Sequence, residues 1–325
     1  MKVGVLGGGA WGTALAQVAA EGGETLLWAR EPEVVEGVNS VHENALFLPG
    51  VPLDPAIRAT SRLEDVADCD VLLVVTPAQH MRAILEALPP TRAPLILCAK
   101  GMEEATTALM HEVAREAQPG APVAVLSGPT FAHEVAARLP AAVTLAIEDA
   151  ALGERLRDRI ARPWFRPYLS DDVVGAEIGG AVKNVLAIAC GVVEGRGLGR
   201  NARAALISRG FAEMTRFGLA RGARAETLAG LSGLGDLVLT CSSTASRNFS
   251  LGKGLGEGRS AAELLADRRT VAEGAFTAPV LNRAAERDGV DMPIVAAVCA
   301  LLSGAAAVDT VVERLLSRPL RAETL

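Results

Sequence analysis

The chain has 325 residues, 50% of them hydrophobic, enough to bury a sizeable core in what its length predicts to be two domains. Its formal net charge of −6 provides no basic field, which excludes nucleic acid and anionic membrane surfaces as expected partners and leaves any anion to be held locally. Five widely spaced cysteines without a CxxC pair read as reduced core residues of a cytoplasmic protein, no targeting segment is expected, and the longest apolar run, residues 294–308, falls short of the ~18 residues of a membrane span and reads as a buried helix.

Residues 2–6 form a short apolar strand, followed at once by Gly7, Gly8, Gly9, Ala10, Trp11 and Gly12 and then by a helical pattern to residue 20. Gly7, Gly9 and Gly12 fit G-x-G-x-x-G, in which the first glycine permits a tight turn, the second lets backbone approach a pyrophosphate and the third lets helix pack on strand. The phosphates would rest on the helix N-terminus, where free N–H groups and the dipole favour anions. A second strand, residues 25–29, ends at Arg30 and Glu31, where the adenosine ribose is read; Arg30 suits a 2′-phosphate and leans the expectation toward NADP or dual use. An exposed, solvated Arg–Glu pair is the plainer reading.

Strands at 70–77, 94–99, 122–126, 141–147 and 165–169, with a helix at 78–88, predict a mostly parallel sheet covered on both faces, with ligands gathered at the carboxyl ends of its strands. Lys100 and the loop Ser127-Gly128-Pro129-Thr130-Phe131 stand there. Beyond Asp172 the period-2 runs stop and Ala/Leu-rich helical segments take over, so the fold class is α/β plus all-α: a Rossmann-like dinucleotide-binding domain over 1–172 and an all-helical substrate and catalytic domain over 173–325. Within the second, Asn201 is a plausible helix N-cap, residues 232–236 read as a tight turn ending in the Asp236 carboxylate, and residues 240–248 are donor-rich.

Positive charge is almost all Arg; the only lysines are Lys2, Lys100, Lys183 and Lys253. Lys183, followed by Asn184, sits in the apolar run Gly179 to Ala187, where desolvation disfavours the ammonium and suits a group that exchanges protons, as an Arg cannot. A snorkelling lysine with its head in water is the alternative. Four scattered histidines without ligand spacing predict no metal, and no Ser-His-Asp order or carboxylate pair suggests a hydrolase. A dinucleotide site, a buried lysine, a turn carboxylate and an anion-ready Ser246-Arg247-Asn248 together suit hydride transfer at a carbinol carbon of a small phosphorylated molecule, with Lys183 as base or acid and Asp236 holding it.

Eight motifs in order resemble the bacterial NAD(P)-dependent glycerol-3-phosphate dehydrogenases: the run from Gly7 to Leu15, Ala99-Lys100-Gly101, Ser127 to Phe131, Gly180-Ala181-Val182-Lys183-Asn184, Asn201 to Ile207, Gly233-Leu234-Gly235-Asp236-Leu237, Ser246-Arg247-Asn248 and Val271-Ala272-Glu273-Gly274. The resemblance implies interconversion of sn-glycerol 3-phosphate and dihydroxyacetone phosphate with NAD or NADP, supplying glycerol 3-phosphate for phospholipid synthesis. It implies that Lys183 is the proton acceptor, and that Lys100, Gly128, Thr130, Asn184, Asp236, Ser246, Arg247 and Asn248 surround the substrate. Ala10, Trp11, Arg30, Lys100, Ala132, Arg247, Val271 and Glu273 would join the three glycines around the cofactor. Ala10 and Trp11 depart from the Ser and Phe or Tyr of many relatives, which bears on cofactor packing. A homodimer stays open. The competing expectations are another reductase of a small hydroxy or keto acid and a non-catalytic NAD(P)-binding sensor.

Overall fold

The structure, a computed structural model, describes residues 1–266 and 272–319. The chain divides into two compact units, residues 1–100 with 108–173, and residues 101–107 with 174 onward. The short insertion belongs with the second unit because two arginines of a later helix grip it: Arg283 Nη2 donates to the Glu104 carbonyl (2.9 Å) and Arg287 Nη1 to Thr107 Oγ1 (2.8 Å).

The first unit alternates strand and helix: β1 (Val3–Leu6), α1 (Ala10–Ala20), β2 (Thr25–Trp28), α2 (Pro32–Ser40), β3 (Ile57–Thr60), α3 (Glu64–Ala67), β4 (Val71–Val74), α4 (Ala78–Ala87), β5 (Leu95–Leu97), α5 (Met110–Ala117), β6 (Val123–Ser127), α6 (Ala132–Ala136), β7 (Ala141–Ala146), α7 (Ala150–Ile160) and β8 (Phe165–Ser170). The sheet order is β3-β2-β1-β4-β5-β6-β7-β8, parallel throughout except between β6 and β7. β1 and β4 are buried at every residue, as expected of strands covered on both faces. The edge strand β3 escapes a reading by periodicity, since Ile57 is its only fully buried side chain. The strand order reverses between β1 and β4, so the turns after them open on the crevice where such sheets bind nucleotides.

The described part of the second unit is helical: α8 (Val173–Gly195), α9 (Gly199–Ala220), α10 (Ala225–Leu228), α11 (Asp236–Cys241), α12 (Arg247–Gly256), α13 (Ala261–Leu265), α14 (Glu273–Arg287), α15 (Pro293–Leu302) and α16 (Val308–Leu316). Three local expectations change. Asn201 is no cap: α9 starts at Gly199 after Leu198, which puts Asn201 inside its first turn. Residues 231–235 are a π-helical turn running straight into α11, made possible by Gly233, where a Cβ would stand 1.9 Å from the Leu228 carbonyl oxygen. The apolar run 294–308 breaks into α15 and α16, because Gly304 adopts φ +71 and ends the first helix. Among the described helices α8 is the one long and apolar enough to cross a membrane, but 94% of its most apolar window is buried within the protein.

Candidate active site

In the first unit the site is made of backbone. Gly7 sits at φ +127 with the Val75 carbonyl where a Cβ would lie 2.9 Å away, and Gly12 is so close to the turn that its Cβ would stand 1.8 Å from the Gly7 oxygen. Gly9, the N-cap of α1, has nothing within 4 Å of a would-be Cβ. The outer glycines thus shape the turn, while the middle one leaves open space at a helix N-terminus, the cradle that a pyrophosphate requires. Asn44, which sequence reasoning missed, holds this turn from beneath: buried, it donates to the Gly8 carbonyl and to Thr13 Oγ1, both at 2.8 Å. A lone Asn in an unassigned loop gives no periodic signal.

Ala10 and Trp11 open α1, and with Ala132, the first residue of α6, they are partly buried against the core. Arg30 follows β2 with its side chain 81% exposed and paired to Glu31 at 3.0 Å, so the plainer reading of that pair is also present. Lys100 and Gly128 stand after β5 and β6, with Lys100 Nζ and Thr130 Oγ1 each donating to the Gly128 carbonyl at 3.3 Å. Gly128 has φ +155, and a Cβ there would meet Val143 Cα at 2.9 Å, so only glycine brings this carbonyl to both donors.

In the second unit the site is made of buried side chains. Gly179 lets α8 approach the π-helical turn, where a Cβ would lie 2.2 Å from the Ser232 oxygen; four residues on, Lys183 Nζ donates to Asp236 Oδ1 (2.6 Å) and to Thr240 Oγ1 (2.9 Å) of α11. The Lys183 side chain is 7% exposed and that of Asp236 is fully buried, so Lys183 does not snorkel. Asp236 is the first residue of α11, which is preceded by Gly235 at the N-cap, and its carboxylate takes the ammonium. The expectation from desolvation alone needs this correction, since burial disfavours the ammonium and the carboxylate favours it. Thr240 was missed, although its position four residues after Asp236 on one helix face is legible. Its neighbour Cys241 is held well above the usual thiol range, first by a hydrogen bond with Cys190 and then by burial, which leaves no thiolate for covalent chemistry.

Ser246 is the N-cap of α12, its Oγ accepting from the Phe249 N–H at 3.2 Å. Arg247, the first residue of that helix, is exposed and has no ion pair among the described residues. Asn184 and Asn248 are buried and joined by a hydrogen bond of 3.0 Å, and Glu273 opens α14. Val271 lies outside the described residues. No group of three or more His, Cys, Asp or Glu with metal-binding geometry occurs among the described residues.

Comparison with known proteins gives matches to both halves of one family model: residues 2–153 match the N-terminus of NAD-dependent glycerol-3-phosphate dehydrogenase and residues 172–313 its C-terminus. Glycerol-3-phosphate dehydrogenase (NAD(P)+) of Erythrobacter litoralis is 66% identical, covering 99% of this chain and 98% of its own. The enzyme of the same name from Caulobacter vibrioides is 60% identical, covering 99% and 98%. Among solved structures, glycerol-3-phosphate dehydrogenase of Coxiella burnetii superposes with a TM-score of 0.93 at 36% identity, covering 98% of this chain and 99% of that one. D-mandelate dehydrogenase, at 13% identity and a TM-score of 0.65, shares the fold alone. With both halves matched and full-length relatives at this identity, the chain belongs to the NAD-dependent glycerol-3-phosphate dehydrogenase family.

Proposed function

We propose that the chain interconverts sn-glycerol 3-phosphate and dihydroxyacetone phosphate with NAD or NADP, and that Lys183 exchanges the proton of the C2 oxygen. The buried contact of Lys183 Nζ with Asp236 (2.6 Å) and Thr240 (2.9 Å) carries this reading, because it fixes one ammonium where a proton donor and acceptor is needed. The turn of Gly7, Gly9 and Gly12 with Trp11, Arg30, Ala132 and Glu273 would hold the nicotinamide cofactor, which when bound supplies or accepts the hydride. Arg247, at the N-terminus of a ten-residue helix capped by Ser246, offers a guanidinium and main-chain N–H groups to the substrate phosphate. Lys100, Thr130 and the main chain at Gly128 would line the rest of the substrate, with Asn184 donating from α8. Asn248 has one hydrogen bond at each end of its amide and keeps a second N–H on Nδ2 to offer the substrate.

Supply of glycerol 3-phosphate for phospholipid synthesis follows from the family, and a cytoplasmic place of action is supported by five free cysteines, four of them buried. The test is absorbance at the reduced-nicotinamide band with dihydroxyacetone phosphate, run with NADH and NADPH in parallel. Oxidation of either cofactor is expected, with unphosphorylated dihydroxyacetone far poorer because phosphate contacts remote from C2 help position the reacting carbon. Comparable kcat/KM for the two ketones would overturn the assignment.

A further inference from the structure

On α8, Gly179, Lys183, Ala187, Gly191 and Gly195 follow one another at intervals of four, so Lys183 is the one long side chain in a row of small residues. Where the glycines stand, the helix meets main chain instead of side chains. A Cβ at Gly179 would lie 2.2 Å from the Ser232 carbonyl oxygen and 2.8 Å from Gly233 Cα, both in the π-helical turn that leads into α11. At the far end of α8, a Cβ at Gly195 would lie 2.2 Å from the Lys253 carbonyl oxygen of α12. The π-helical turn is closed by the Gly235 N–H, which donates to the Gly230 carbonyl five residues back at 3.0 Å. Such a turn takes up one residue more than an α-turn, and one residue is about 100° of helical rotation, so it decides which way Asp236 faces as α11 begins.

We propose that Gly179 is a positioning residue for proton transfer: having no side chain, it seats the π-helical turn on the main chain of α8, and that seat fixes Asp236 and Thr240 against Lys183 one helical turn further along. The inference rests on Lys183 as the proton carrier of the proposed reaction. A methyl group at 179 could be housed only by moving the turn away from α8, and Asp236 follows the turn without a break. Its contact of 2.6 Å with the ammonium has no slack to absorb such a movement. Cys241 of α11 and Cys190 of α8 are the thiols of this place, and Cys241 is kept neutral by its hydrogen bond with Cys190 and by burial. Asp236 is therefore the charge that α11 turns toward Lys183.

Gly179→Ala and Gly195→Ala test this in the full-length protein, since each adds one methyl group to α8 at the same 2.2 Å overlap with a carbonyl oxygen. Both are expected to lower the denaturation midpoint. What separates them is the pH profile of kcat for glycerol 3-phosphate oxidation with saturating NAD or NADP, taken at a temperature where both are folded. In Gly179→Ala the rise of the rate with pH is expected to move to lower pH by about half a pH unit or more, because the carboxylate that favours the ammonium has moved away. Its kcat is expected to fall by up to about a hundredfold, the cost of a misplaced catalytic group. Gly195→Ala is expected to keep the wild-type profile. A wild-type profile in Gly179→Ala, or equal shifts in both variants, would make Gly179 a packing glycine and overturn the proposal. If Gly179→Ala does not fold, Ser232→Thr adds one methyl group to a fully buried residue of the same turn, with the shift expected and an unshifted profile overturning the proposal in the same way. Wild type is read first: absence of turnover would defeat the proposed reaction, whereas turnover with an unshifted Gly179→Ala profile would defeat this inference alone.

Discussion

The glycine turn after β1 and the lysine cluster on α8 meet opposite demands. The turn works by what its residues lack: Gly7 and Gly12 leave out Cβ atoms that would strike backbone at 2.9 and 1.8 Å, and the free N–H groups of α1 are left for an anion. The cluster works by side chains taken out of water, an ammonium against a fully buried carboxylate and a hydroxyl. A site of backbone is written in contiguous sequence and carries no net charge to desolvate. A site of buried charge is assembled from distant residues, and losing one partner strands the other.

The largest effect should therefore follow from Lys183→Met, which strikes both chemistry and stability. Loss of a positioned proton carrier is typically worth ~10²–10⁴-fold in rate, and leaving Asp236 buried without its cation costs roughly 3–5 kcal/mol. Lys183→Met combined with Asp236→Leu is expected to recover most of the stability and none of the activity, which denaturant midpoints and turnover would separate. A folded Lys183→Met protein keeping more than about a tenth of the wild-type rate would remove Lys183 from the proton path.

The glycine turn predicts a sharper split between two neighbouring substitutions. Gly12→Ala forces a Cβ onto the Gly7 carbonyl and should cost roughly 1–3 kcal/mol of stability as well as nucleotide affinity. Gly9→Ala meets no protein atom at an extended φ of −69, so stability should stay within about 0.5 kcal/mol while NADPH binding, read by fluorescence titration, weakens at least tenfold. Equal loss of stability in both variants would mean that Gly9 also shapes the fold and is not reserved for the ligand.

This contrast explains what the sequence made legible. Gly7, Gly9 and Gly12 were readable because their spacing is itself the constraint, and β1 and β4 because strands buried on both faces are apolar at every position. β3 was not, with one buried side chain, nor was the antiparallel β7, since direction leaves no mark in a period-2 pattern. Lys183 stood out as a rare lysine in an apolar run, yet its Asp236 partner is 53 residues away and its second acceptor, Thr240, was overlooked. Local sequence also cannot reveal that the Asn248 amide is held between Asn184 and the Gly274 N–H.

Glu213 extends the comparison to pH. It is 2% exposed on α9 and accepts from the Ile294 and Val295 N–H groups at the start of α15, at 2.7 and 3.3 Å. Burial pushes its carboxyl up to about 7 despite those two bonds and the nearby Arg216, while Asp291 pushes the same way as burial. A carboxyl raised on folding binds more protons in the native than in the unfolded state between about 4.5 and 7, so this group's contribution should fall as pH rises through that window and level off above it, by up to roughly 3 kcal/mol. Glu213→Gln cannot titrate and should flatten that slope. Parallel stability profiles for wild type and variant between pH 5 and 8 would show that Glu213 is already ionised throughout.

The smallest effect belongs to the most exposed charge. Arg30 follows β2 with its side chain 81% in solvent and Glu31 as its partner, so any contact with a 2′-phosphate is made in water and is worth little beside the buried pair at Lys183. Arg30→Asp removes a phosphate partner and supplies an acceptor for ribose hydroxyls, which should shift the ratio of kcat/KM for NADPH and NADH toward NADH by roughly tenfold, or about 1.4 kcal/mol. Because the contact is exposed, the wild-type preference itself should weaken between low salt and about 0.15 M ionic strength, where the Debye length is about 8 Å. The rate dependence on Lys183 should not respond to salt in this way, since its partner Asp236 is fully buried. A cofactor ratio unchanged in Arg30→Asp at both ionic strengths would assign the reading of the ribose to another residue and leave Arg30 as half of a solvated pair with Glu31.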